Sequence, residues 1–372
     1  MKIVARSELR NRIAIILGTR PGIVKMSPLI RALDKKRIPF FVVHTGQHYS
    51  YNMDRIFFED LDLPEPEYRV EGVAAAKLHG AQTARMLEGV ERVLLTEKPR
   101  LVVVGGDANT NLAGALAARK LQLAVAHVEA GLRSNDWRMP EEHNRAMIDH
   151  ISDILFAPTA EARANLVNEA VRGKIYVVGN TIVDAVEENL LISKDKSRVL
   201  AQQRLKRKNY LLITVHREEN VDNEANLNKV IKLILGLAGH SELPVVFPIH
   251  PRTLQRLGPL YEKVRNSVVL TQPLGYLDFL NLLYNAKAVL TDSGGIQEEA
   301  CILGVPCLTL RDNTERPETV SAGANYLIGL NSQKAKVMVS SIESKFGRWA
   351  CPYQRGASKK IVHVLAGAVR GG

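Results

Sequence analysis

Carboxylates in the first half of the chain stand at the ends of predicted strands. Asp107 follows LVVVGG and Glu129 follows AVAHV. Glu141 and Glu142 follow Pro140, with Arg145 one turn later. A carboxylate just past a buried strand sits where desolvation and neighbours raise its pKa, as acid–base work requires. For Glu141, Glu142 and Arg145 a helix start after proline, with dipole-favoured acids and an i,i+4 ion pair, reads as well. Asp107 and Glu129 have no such local explanation. In the second half, His216 and Arg217 follow YLLITV, and His250 and Arg252 follow PVVFPI. Two His/Arg pairs at two strand ends of one sheet read as an anion-binding rim. A metal site is the rival, but neither HExxH nor a paired histidine–carboxylate spacing is present, and no metal is expected. His143 and His150, about two helical turns apart, read as structural or solvated.

Two glycine-containing turns offer phosphate chemistry. Gly18-Thr19-Arg20-Pro21-Gly22 follows the opening strand and precedes Lys25. It is neither GxGxxG nor GxxxxGK[ST], and the second strand ends in His44 rather than an acid, so a dinucleotide fingerprint is poor. Arg and Lys at a strand-to-helix turn suit a diphosphate, while a plain turn with two solvated cations is the alternative. The second turn is Thr291-Asp292-Ser293-Gly294-Gly295, opening a helix that carries Glu299. Ser293, Gly294 and Gly295 can present a hydroxyl and bare N–H groups to a phosphate. Glu299, a turn further on, can accept from ribose hydroxyls. The alternative is an N-cap by Asp292 or Ser293 with glycines for tight packing.

The elements that position these groups follow from the apolar pattern. Ile13–Leu17, Phe40–His44, Leu101–Val104, Ala124–Val128, Ile154–Ala157 and Ile175–Val178 are short, nearly continuous apolar runs. They read as strands buried on both faces. Helical stretches such as KMSPLIRALDKK and Asn111–Arg119 separate them, which predicts a parallel α/β sheet. The pattern restarts with Tyr210–Val215, Pro244–Ile249, Val268–Leu270, Ala288–Thr291 and Pro306–Leu310. A break near Asn180 and a charged stretch from Glu187 to Lys208 divide the two sets. The reading is two doubly wound domains facing each other, with ligands in a cleft where both sets of strand ends meet.

Composition narrows the class. A chain of 372 residues with 46% hydrophobic and 24% charged content predicts a globular protein of two domains. No apolar run approaches the roughly 18 residues of a membrane span. The opening MKIVARSELRNR does not read as a secretory signal. Three cysteines without CxxC spacing signal neither a disulfide framework nor zinc, and fit a reducing, cytoplasmic compartment. A formal charge of +11 suggests an anionic partner or a lysine-rich solvated surface. With aromatics at 5% and no RNP-type motif, nucleic acid is disfavoured.

From about Ile13 to Leu365 the chain resembles the non-hydrolysing UDP-N-acetylglucosamine 2-epimerases, a family with the GT-B fold. The resemblance rests on GTRP with Lys25, HTGQHY, GGD, HVEAGLRS, MPEEHNR, GNTIVDA, HREEN, IHPRT, LTDSGGIQEEA and LRDNTERPET, in that order. It implies a GT-B-like α/β fold of two facing Rossmann-like domains with parallel sheets and an interdomain cleft. The expected division is 1–180 for the domain with the catalytic carboxylates, 181–350 for the UDP-binding domain, and 351–372 for a helix returning to the first. Arg20 and Ser293–Gly295 would hold the diphosphate, Phe279 the uracil and Glu299 the ribose. His250 and Arg311 join this substrate-binding set. Lys25, Asp107, Glu129, Glu141, Arg145 and His216 match the family's catalytic cluster.

The implied reaction interconverts UDP-N-acetylglucosamine and UDP-N-acetylmannosamine. The C2 proton of the sugar is not acidic, since no carbonyl adjoins it. Removing it while UDP leaves from C1 avoids a free carbanion and gives a glycal. UDP then adds back after reprotonation from the other face. That needs an acid and a base on opposite faces and cations on the diphosphate. Nothing is oxidised, so no cofactor is expected. The expected partner is a UDP-sugar, with neither nucleic acid nor membrane, in a cytoplasmic homodimer serving cell-surface polysaccharide synthesis. Alternatives are 2-epimerisation of a UDP-2,3-diacetamido uronic acid, hydrolytic release of N-acetylmannosamine, and a non-catalytic UDP-sugar sensor. Four departures stand out: Gly22 where Glu is usual, Ala108 where Thr is usual, Gln354–Gly356 in place of a Gly-Asp/Asn-Gly turn, and Tyr49 in place of a basic residue common in members activated by substrate.

Overall fold

The computed structural model describes residues 11–47 and 57–370. Tyr49 lies outside the described residues. Two compact units emerge. One runs to Ala185 and takes in the chain again from Tyr353, and the other is Val186–Pro352.

In the first unit seven parallel strands form one sheet. They are β1 (Ile13–Leu17), β2 (Phe40–His44), β3 (Tyr68–Arg69), β4 (Leu101–Gly105), β5 (Ala124–Val128), β6 (Ile154–Ala157) and β7 (Lys174–Val177). All five residues of β1 and of β4 are buried, as strands covered on both faces require. Their order is β3-β2-β1-β4-β5-β6-β7. The chain steps outward from β1 to β3, then returns to β4 on the other side of β1. That reversal splays the turns after β1 and β4 apart and opens a crevice at their carboxyl ends. Val90, Leu94 and Ile148, from helices His79–Glu97 and Pro140–Ile151, pack on Ala14, Ile16, Val102 and Val104 to form one face of the core.

The second unit repeats the plan with six parallel strands. These are β8 (Leu211–Thr214), β9 (Val245–Pro248), β10 (Val269–Thr271), β11 (Ala288–Thr291), β12 (Cys307–Thr309) and β13 (Asn325–Leu327). The order β10-β9-β8-β11-β12-β13 places its reversal between β8 and β11. The core on one face gathers Leu211, Ile213, Phe247 and Leu290 under Val230, Ile234 and Leu237 of helix Glu224–Ala238.

Two strands lie beyond the apolar runs of the sequence. β3 is two residues, Tyr and Arg, at the sheet edge, and β13 is a three-residue edge strand. The boundary between the units falls inside the single helix Thr181–Lys196. The last helix, Ala357–Arg370, packs on helix Arg20–Lys35 within the first unit. Its start is fastened by Asp184, whose carboxylate accepts from the N–H groups of Gly356 and Ser358, both at 2.7 Å. No helix among the described residues is long and apolar enough to cross a membrane.

Candidate active site

In the first unit Lys25, Glu129, Asp107 and Arg145 lie together at the carboxyl ends of β1, β4 and β5. Thr19 caps helix Arg20–Lys35 by accepting from Gly22 N–H at 3.2 Å, and Pro21 suits its first turn. Arg20 lies half-buried at the mouth, its guanidinium 5.7 Å from the Phe57 ring centre. One turn on, Lys25 Nζ donates to Glu129 Oε2 at 2.9 Å. Glu129 is 7% exposed and sits in the left-handed region with φ +69°. For a residue with a Cβ that conformation costs about 1–2 kcal/mol and persists where surrounding structure holds it. Its second oxygen, Oε1, is buried and has no hydrogen-bond partner among the described residues. A buried acceptor left unpaired in strained backbone beside a lysine is suited to proton transfer.

Asp107 follows Gly106, whose φ of +88° calls for glycine. A Cβ on Gly106 would lie 3.3 Å from Glu129 Oε2, so the Asp107 turn and the Glu129 carboxylate are neighbours. Arg145 grips Asp107 Oδ2 at 2.5 Å and Glu142 Oε2 at 2.6 Å. The sequence offered Glu141 as Arg145's i,i+4 partner. The helix instead turns Glu142 inward at i,i+3 and leaves Glu141 exposed on its first turn. Glu142 also accepts from Ser134 and Asn135 N–H, each at 3.0 Å. Burial pushes its carboxyl up, but those bonds and Arg145 prevail and hold it below the usual range. Glu142 thus secures the segment entering the helix while Arg145 steadies Asp107.

Ala108 occupies the N-cap of helix Asn109–Lys120 and supplies no side-chain cap. Gln47 caps the helix in its place. Its Oε1 accepts from Thr110 N–H at 3.0 Å and from Thr110 Oγ1 at 2.8 Å. The missing hydroxyl at Ala108 is therefore offset by the HTGQ stretch.

In the second unit the turns after β8 and β11 are knitted together by Asp292, which is wholly buried. Its carboxylate accepts from His216 N–H, Arg217 N–H at 3.0 Å and Asn220 Nδ2 at 3.0 Å, and faces His216 Nδ1 at 3.2 Å. Burial raises the Asp292 carboxyl, yet the His216 contact and these donors keep it low. In the sequence Asp292 reads as an N-cap, and Asn220 has no role beyond its place in HREEN. Both lay within motifs, but the long-range pairing of β8 with β11 that joins them is not a local signal.

Ser293 stands at the N-cap of helix Gly294–Leu303, and its hydroxyl does not cap it. The tight-packing account of Gly294 and Gly295 fails. A Cβ at Gly294 would meet nothing nearer than 3.6 Å, and at Gly295 nothing nearer than 4.0 Å. Bare N–H groups at a helix start suit an anion. Further along, Glu299 is 8% exposed and accepts from the Tyr276 hydroxyl at 3.1 Å. Burial pushes it up to about 7. Phe279 is half-buried on helix Tyr276–Asn285 and packs against the core on that side.

The His/Arg rim divides on inspection. The His216 and His250 rings lie 5.2 Å apart. His250 caps helix Pro251–Leu257, its Nδ1 accepting from Arg252 N–H at 3.2 Å. Burial, then the charge of His216, lower its pKa. Arg252 is spent on Glu218 and Asp222. Arg311 pairs with Glu219 and Glu315, and Arg217 reaches the same Glu315.

Comparison with known proteins places the chain in a family. Residues 31–366 match the sequence profile of UDP-N-acetylglucosamine 2-epimerase. The UDP-N-acetylglucosamine 2-epimerase of Methanocaldococcus jannaschii is 51% identical over 362 residues, covering 95% of this chain and 98% of that protein. The crystal structure of the Methanocaldococcus jannaschii UDP-GlcNAc 2-epimerase in complex with UDP-GlcNAc and UDP superposes with a TM-score of 0.84. There the identity is 51%, and 95% of this chain and 99% of that one are covered. The UDP-2,3-diacetamido-2,3-dideoxy-D-glucuronate 2-epimerase of Pseudomonas aeruginosa is 42% identical over 325 residues, 86% of this chain and 88% of that protein. With two parallel-sheet α/β units and a profile match over residues 31–366, the chain belongs to the UDP-N-acetylglucosamine 2-epimerase family.

Proposed function

We propose that the protein interconverts UDP-N-acetylglucosamine and UDP-N-acetylmannosamine at C2 through a glycal. The observation that carries this reading is Glu129: a buried, strained carboxylate with one oxygen on Lys25 and the other unspent. In this account Asp107, Glu129 and Glu141 supply the acid and base on the two faces of the sugar. Lys25, Arg20, Arg145 and His216 steady the departing diphosphate. The diphosphate rests on Ser293, Gly294 and Gly295, with the ribose on Glu299, the uracil against Phe279, and His250 and Arg311 completing the substrate contacts. Retaining UDP lets it add back after the proton returns from the opposite face. We further infer a homodimer acting in the cytoplasm, where its three free cysteines stay reduced.

A second reading, 2-epimerisation of a UDP-2,3-diacetamido uronic acid, is favoured by the Pseudomonas aeruginosa relative. Incubation of the purified protein with each nucleotide sugar decides between them by product analysis. Formation of UDP-N-acetylmannosamine with UDP remaining attached is the expected result. Turnover of the uronic acid alone overturns the choice of sugar. Free UDP accumulating in step with free sugar would instead mean hydrolysis.

A further inference from the structure

His127 lies on β5, two residues before Glu129, and is wholly buried. Its Nε2 is 3.0 Å from the main-chain oxygen of Gly106, and its Nδ1 is 2.7 Å from Asp149 Oδ1. A carbonyl oxygen only accepts, so Nε2 carries a hydrogen. On the other side, Asp149 Oδ2 already accepts from Gly131 N–H at 3.0 Å and from Arg133 Nη2 at 2.8 Å. Such donors favour the ionised carboxylate. Asp149 is then an acceptor at Oδ1 as well, and Nδ1 carries the second hydrogen.

What the ring holds is the turn that delivers Asp107. Gly106 donates to Val128 O at 3.0 Å, offers its own carbonyl to His127, and lies against the Glu129 carboxylate. One side chain therefore ties the Asp107 turn to the strand that ends in Glu129.

We propose that His127 is a positioning residue: a buried imidazolium, clamped by Asp149, that fixes the Gly106–Asp107 turn in register with Glu129. Its catalytic consequence rests on the epimerase reading, whereas its protonation state does not.

Two measurements on the full chain test it. Ala126–His127 is the one Ala-His pair in the sequence, so combined 13C-carbonyl alanine and 15N-histidine labelling identifies this residue. Near neutral pH both ring nitrogens should resonate as protonated, and an unprotonated Nδ1 overturns the imidazolium. The second measurement is steady-state kinetics on UDP-N-acetylglucosamine for H127Q, D149N and the double variant, each checked for fold by circular dichroism. We expect kcat to fall by about 100-fold, the scale of a 1 Å misplacement of reacting groups. KM should stay within about threefold, and the double variant should be no worse than either single one. Folded variants with wild-type kcat overturn the positioning role, as do losses carried by KM alone. If the wild-type protein itself does not turn over this sugar, the epimerase reading falls and takes the catalytic role with it. The nitrogen spectrum still decides the state of the ring, and it does so even if no variant folds.

Discussion

Glu129 and Glu299 are both buried carboxylates, and their surroundings assign them different work. Glu129 has a lysine at one oxygen and an unspent second oxygen, in a backbone conformation that a side chain rarely adopts. Glu129→Gln should abolish deuterium exchange at C2 while UDP binding stays near wild type. Exchange at the wild-type rate in that variant would remove Glu129 from the acid–base set. Glu299 is governed by burial instead. Burial, with the charge of Glu298 adding and the Tyr276 hydroxyl opposing, lifts it from 4.5 to about 7. An acid raised on folding holds its proton more tightly in the native state. Its contribution to stability is therefore full below pH 4.5 and is lost as pH rises through about 7. The loss across that window is about 3 kcal/mol. Glu299→Gln should gain stability relative to wild type as pH rises from 4.5 to 7 and then level off, read by urea unfolding at stepped pH. A pH-independent difference between the two would contradict a buried, raised carboxyl at this position. At the residue scale the sequence singled out candidate carboxylates but not their geometry. Asp107 and Glu129 were legible because nothing local explains a carboxylate behind a buried strand. Glu141 and Glu142 were not separable, since only the helix's rotation against its neighbours decides which one turns inward.

The elements explain how candidate groups gather within each unit. Each sheet reverses direction once, at β1/β4 and at β8/β11, and Lys25, Asp107, His216 and Ser293 come after those four strands, with Glu129 after the neighbouring β5. Apolar continuity made the central strands readable, because burial on both faces writes itself into composition. β3 and β13 escaped because an edge strand of two or three residues is defined by its partner's hydrogen bonds and not by its own pattern. His127, Asp149 and Arg133 escaped for a related reason. Their network joins β5, the turn after β4 and helix Pro140–Ile151, and no periodicity within one element announces such a junction. The GNTIVDA motif acquires a structural meaning at this scale. Asp184 satisfies two N–H groups at the start of the closing helix, an arrangement that ties residue 184 to residues 356 and 358. Asp184→Ala should cost about 2–4 kcal/mol, since both bonds are charge-assisted and the donors are left unpaired. Amide hydrogen exchange should rise selectively across Ala357–Arg370. Unchanged protection there would mean that packing on helix Arg20–Lys35 alone holds the closing helix.

For the whole molecule, the formal charge of +11 reads differently with the ion pairs in view. Candidate cations in each unit are matched by acids: Lys25 by Glu129 and Arg145 by Asp107 and Glu142 in the first, Arg311 by Glu219 and Glu315 in the second. The excess therefore lies elsewhere, for example on the exposed Lys229 and Lys232 of helix Glu224–Ala238. A matched site suits the proposed reaction. Its cations must hold a diphosphate without trapping it, since UDP has to return to the sugar. The central claim is that the C2–H bond breaks and re-forms while UDP is retained. Incubation with UDP-N-acetylglucosamine in heavy water, followed by proton NMR, tests it directly. The C2 proton signal should disappear as UDP-N-acetylmannosamine forms, with no free UDP building up. A C2 proton that persists, or epimer formed without deuterium, would contradict it.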